Sequence, residues 1–126
     1  MAQVLSATTL MAVILWSPAT ARAADWPQFL GPQRDGSCLG PPLARAWPAE
    51  GPPVLWKRDV GAGFAGPAVS ADWLILFHRR DDQAVVECLE ARTGKPVWKA
   101  SYPTDYQDDF GFDNGPRATP AIADNR

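Results

Sequence analysis

The sequence predicts an all-β chain built from short strands in a repeated four-stranded unit, and three observations predict it. Brief apolar runs alternate with turn residues from residue 54 onward. Two local patterns each occur twice. And 13 Pro and 10 Gly among 126 residues leave little room for a long helix. With 46% apolar and 21% charged residues, the chain is neither a disordered tail nor a multi-span membrane protein. Twelve Lys and Arg against 14 Asp and Glu give a net charge of −2, without the basic stripe of a nucleic-acid binder. One His and two Cys are too few for a closed zinc site, which usually takes four ligands. No metal site is predicted.

Residues 1–23 read as a signal peptide. Val4 to Trp16 is mostly apolar and about 13 residues long, the size of a signal-peptide core, where a spanning helix needs about 18. Pro18 breaks the segment, and Ala19-Thr20-Ala21 or Ala21-Arg22-Ala23 offers the small-x-small pattern of a cleavage site. Cleavage is expected after Ala23. Met1-Ala2-Gln3 carries no Lys or Arg, so the positive charge rests on the amino terminus alone. No Cys at the cleavage point offers a lipid anchor, so a periplasmic or secreted chain without a membrane anchor is expected. In such an oxidising compartment Cys38 and Cys88 can pair. The alternative keeps Cys88 as a small apolar residue in a strand and Cys38 free in a loop.

Residues 24–52 form a Pro/Gly-rich lead-in, too broken for a helix or a central strand. It is expected to strap across a surface with Trp26, Phe29, Leu30 and Trp47 as apolar anchors. Strands are then expected at Val54–Lys57, Pro67–Ser70, Trp73–His78, Ala84–Ala91 and Val97–Lys99, separated by Asp72, Asp81-Asp82-Gln83 and Thr93-Gly94-Lys95. The run Leu74-Ile75-Leu76-Phe77 does not alternate, which predicts a strand covered on both faces.

Pro53-Val54-Leu55-Trp56-Lys57 resembles Lys95-Pro96-Val97-Trp98-Lys99, with the two Trp 42 positions apart. Gly66-Pro67-Ala68-Val69-Ser70-Ala71-Asp72 resembles Thr119-Pro120-Ala121-Ile122-Ala123-Asp124, with the prolines 53 apart. An insertion between Tyr102 and Thr119 accounts for the difference. A period of about 40–45 residues carrying four strands matches one blade of a β-propeller.

The stretch Cys88-Leu89-Glu90-Ala91-Arg92-Thr93-Gly94-Lys95-Pro96-Val97-Trp98 resembles the repeat of the PQQ-like (pyrroloquinoline-quinone-type) propeller family, roughly Ala-Leu-Asp-Ala-x-Thr-Gly-Lys-x-x-Trp. Cys88 and Glu90 depart from it. Asp25-Trp26-Pro27-Gln28-Phe29-Leu30-Gly31-Pro32, followed by Arg34-Asp35-Gly36, resembles the mature start of exported bacterial members. The resemblance implies an eight-bladed ring of four-stranded blades, of which residues 53–126 would be the N-terminal portion. Only one full blade, Ala68 to Ser101, is expected here, so the sequence reads as a fragment. Val54–Arg58 would be the outer strand of the closing blade. Gly94 supplies the positive φ of a tight hairpin, and Trp56 and Trp98 would dock blade on blade.

The chemistry is less legible. Asp105, Asp108, Asp109 and Asp113 form an acidic cluster, but their spacing is not that of a helix–loop–helix calcium site, and a solvated insertion is the better reading. Asp109-Phe110-Gly111 spells a kinase metal motif, yet no Gly-rich loop precedes it. Arg117 is the candidate cofactor-binding residue, able to hold an acidic ligand or a quinone carboxylate bidentately; pairing with the local aspartates is the plainer alternative. His78 reads as a surface or packing residue, with no assignable Asp or Ser partner. The favoured function is a non-catalytic binding or scaffold domain for a protein or small-molecule ligand. The alternative implied by the resemblance is a PQQ- and calcium-dependent alcohol or sugar dehydrogenase.

Overall fold

A computed structural model describes residues 24–40 and 42–123. The expected signal peptide, residues 1–23, lies outside them. Two-residue loops set the architecture. Strand β1 (Ala68–Ser70) turns at Ala71-Asp72 into β2 (Trp73–Arg80), which turns at Asp81-Asp82 into β3 (Gln83–Glu90). Strand β4 (Pro96–Pro103) returns after the Ala91–Lys95 turn. The four form one antiparallel sheet in the order β1-β2-β3-β4. The described residues are all-β, without a helix.

Four of the five strands expected from the sequence are present, β2 and β4 with longer bounds, β1 shorter by Pro67 and β3 shifted by one residue. Gln83 belongs to β3 rather than to the preceding turn, pairing with Arg80, and β4 runs on to Pro103. Both two-residue loops open on a left-handed residue, Ala71 and Asp81, each at φ 52°. Asp tolerates that region; Ala is strained there by about 1–2 kcal/mol. Ala71→Gly is therefore expected to raise stability by roughly 1 kcal/mol after the extra entropy of the unfolded chain, read as a higher melting temperature.

Register divides the sheet into two faces. Leu74, Leu76 and His78 of β2 share the first face with Val85, Glu87 and Leu89 of β3. Ile75 and Phe77 share the second with Ala84, Val86 and Cys88, and with Trp98 and Tyr102 of β4. Ala68, Ala84, Val85, Cys88 and Leu89 form the buried core. The run Leu74–Phe77 is half-buried on both faces, as its lack of alternation predicted.

Two expectations are corrected. Val54–Lys57 is not a sheet strand: no described strand lies beside it to accept its backbone bonds, and it crosses the first face instead. Of the four expected lead-in anchors only Trp26 is tied to the sheet, by two backbone bonds to Val69 rather than by its ring, which lies against Gly31 of the lead-in itself. Phe29 is 67% exposed, Leu30 42% and Trp47 51%. Bonds from Gly31 to Gln28, Arg34 to Gly31 and Gly36 to Leu30 wind residues 28–36 into consecutive turns, which carry Phe29 and Leu30 outward.

Candidate functional site

The first face is met by residues 56–61, and the contact has two centres. At the first, the Trp56 indole N–H donates to the Ala91 carbonyl at 3.0 Å. Its ring lies on Gly94, where a Cβ would sit 2.7 Å from ring carbons. Gly94 has φ 69°, so position 94 excludes a side chain twice over, by conformation and by contact. The turn is held by Gly94 N–H donating to Glu90 O at 2.8 Å and by the Thr93 hydroxyl donating to the Glu90 carboxylate at 2.7 Å. The Lys95 N–H closes onto the Thr93 Oγ1 at 3.3 Å. The motif Thr93-Gly94-Lys95 thus forms the pad on which Trp56 rests. Trp98, its counterpart 42 residues on, stands 48% exposed on the second face.

The second centre is a buried polar cluster. Glu87 and His78 are each only 4% exposed. The Gly61 N–H donates to His78 Nδ1 at 3.0 Å, so that nitrogen carries the lone pair and Nε2 carries the proton. Nε2–H then donates to Glu87 Oε1 at 2.6 Å, while Arg58 pairs with Oε2. Burial pushes the Glu87 carboxyl up, but the His78 hydrogen bond and the Arg58 charge outweigh it and hold the group below its ordinary range. The close approach requires glycine at 61, since a Cβ there would come 1.9 Å from the Arg79 carbonyl oxygen. No buried side-chain N or O among the described residues lacks a partner. The cluster holds residues 58–61 to the sheet through the Arg58 side chain and the Gly61 N–H.

The second face carries a cavity of about 300 Å³ between β4 and the loop that follows it, lined by Phe77, Tyr102, Tyr106, Pro116 and Arg117 among others. The Phe77 and Tyr102 rings meet at 6.5 Å, tilted by 45°. Arg79 ties the loop down, donating to the carbonyls of Asp81, Tyr106 and Asn114 and pairing with Asp82. Arg117 pairs with Asp108 at 2.8 Å and lies over the Phe64 ring. The Phe112 N–H, and with it the Arg117 charge, holds the Asp108 carboxyl below the usual range against the opposing effect of burial. Asp113 accepts from the Gly63 and Gly115 N–H groups.

Asp108 and Asp113 of the acidic cluster are therefore bonded to backbone N–H groups, and Arg117 is turned onto Asp108. Among the described residues no group of three or more His, Cys, Asp or Glu side chains is placed to hold a metal ion. Arg117, the residue considered for a quinone carboxylate, is instead paired with Asp108, and the described residues offer calcium no such group of carboxylates. Cys38 is a free, exposed thiol and Cys88 a free, buried one; burial raises the Cys88 pKa, which keeps it unreactive.

Comparison of the chain with protein-family models, with curated proteins and with solved structures found no match in any of the three.

Proposed function

We propose that the chain is the N-terminal portion of an exported PQQ-like β-propeller whose role is non-catalytic, as a scaffold presenting a face to a protein or small-molecule ligand. The observation that carries this reading is the seat of Trp56 on the Gly94 turn. Trp56 and Trp98 occupy equivalent places in the repeated sequence pattern, and the first of them docks on the Thr-Gly turn of the sheet that contains the second. A repeat that hands its Trp to the next repeat's turn is the arrangement a ring of blades needs. The four-stranded meander and its two partly apolar faces support the same reading. The scaffold role is favoured because the polar side chains singled out at the two faces, His78, Glu87, Arg79 and Arg117, are held in structural bonds.

Two measurements test the proposal on protein recovered from the exporting host. N-terminal sequencing is expected to begin at Ala24, and an intact Met1 overturns export by cleavage there. Addition of pyrroloquinoline quinone and calcium is expected to give no dye-linked oxidation of alcohols or sugars. Oxidation that needs both additions overturns the scaffold role.

A further inference from the structure

The lead-in makes a set of bonds that neither the sheet nor the Trp56 seat requires. The Asp25 carboxylate accepts the Ala71 N–H at 2.8 Å and the Ser70 hydroxyl at 3.2 Å, capping the β1–β2 turn. Trp26 exchanges two backbone bonds with Val69, at 2.8 and 2.9 Å. The next residue, Pro27, has no N–H to satisfy, and its carbonyl accepts the Ile122 N–H at 2.8 Å. The Trp26 ring lies against Gly31, and the Gln28 side chain bonds both Pro32 O and Arg34 Nε, so the segment is braced from behind.

Val69 and Ile122 are equivalent positions of the repeated Pro-Ala-Val/Ile pattern. Gly66 and Thr119, three residues earlier in each copy, touch directly: the Gly66 N–H donates to the Thr119 hydroxyl at 3.2 Å. The two copies thus meet at 66 and 119, while at 69 and 122 adjacent lead-in residues bond both of them. We infer that residues 25–36 are a spacer that staples the two successive copies and sets the angle at which they diverge. In doing so the spacer covers the free edge of β1, which would otherwise be open to an outside strand. The inference uses the internal repeat but not the propeller reading.

The test is native-state hydrogen exchange on the full chain, comparing wild type with the double variant Asp25→Ala/Trp26→Ala. The Val69, Ala71 and Ile122 amides are expected to exchange together at least about tenfold faster in the variant, with β3 amides unchanged. An Ile122 amide that keeps its wild-type rate while Val69 accelerates overturns the staple, as does no change at either. Should the variant unfold as a whole, wild type in sub-denaturing urea decides. One opening shared by Val69 and Ile122, and distinct from that of β3, supports the spacer; separate openings, or opening only with the whole sheet, overturn it. Neither Trp56 nor Trp98 enters this readout, so its failure leaves the proposed function standing, and the converse holds.

Discussion

Glu87→Ala is expected to destabilise the chain by about 3 kcal/mol, the low end of what removing one partner from a buried ion pair costs. The low end applies because the Arg58 side chain is 28% exposed and can turn to water. His78 cannot. Its Nε2–H, in a side chain only 5% exposed, is left without an acceptor, a penalty of about 1–3 kcal/mol by itself. The substitution also loosens residues 58–61, because Arg58 and the Gly61 N–H reach the sheet through Glu87 and His78, leaving the Arg80 bond to the Asp59 carbonyl and the Ala62 pairing with Arg79 to hold the segment. Urea unfolding with an unchanged denaturant slope reads the loss. A loss below about 0.5 kcal/mol, the range of an ordinary surface substitution, would mean the cluster contributes nothing to holding that segment.

The same carboxylate makes stability depend on pH. Its folded pKa lies below the ordinary value near 4.5, so its contribution is fully present above that value and is lost as pH falls through the lower folded pKa. Glu87→Gln keeps the shape and an acceptor for His78 but removes the charge. Wild type is therefore expected to exceed the Gln variant in stability at neutral pH, with the gap closing on acidification below about pH 4.5. A gap independent of pH would contradict the ionised state of Glu87 described above.

How much of this was legible in the sequence depends on register. The hairpins follow from Asp72, Asp81-Asp82 and Thr93-Gly94, whose side chains and backbones suit tight turns, and four of the five expected strands lie in the sheet. The His78–Glu87 pair did not follow. Reading Asp81-Asp82-Gln83 as a three-residue turn pairs Arg80 with Ala84 and puts His78 and Glu87 on opposite faces. The observed two-residue loop pairs Arg80 with Gln83 and His78 with Val85, which makes Glu87 a diagonal neighbour of His78 on one face. One residue of slip exchanges the faces of a whole strand, and nothing local to Gln83 distinguishes turn from strand. Val54–Lys57 misled for another reason. Its apolar residues suit a strand, but a strand needs a partner, and composition cannot supply one. Phe29 and Leu30 read as anchors by residue type alone, whereas the turns around Gly31 decide which way they face.

Trp56→Ala and Trp98→Ala are expected to differ sharply in this chain, although the two residues sit in the same sequence pattern. Trp56 rests on Gly94 with its indole N–H bonded. Its removal forfeits that hydrogen bond and opens a void over the turn, for a loss of about 3 kcal/mol. Trp98 is 48% exposed, so its truncation should cost about 1 kcal/mol or less. Under the proposed ring the order changes: with a further repeat covering the second face, Trp98 gains a Thr-Gly turn of its own and its truncation rises to the cost of Trp56→Ala. The comparison needs two proteins, the 126-residue chain and one extended by further repeats, each unfolded in urea with both substitutions. Equal losses in the short chain would mean that the second face is already filled, by a neighbouring copy or otherwise. A Trp98 loss that stays near 1 kcal/mol in the extended protein would remove the reason for placing a blade against that face.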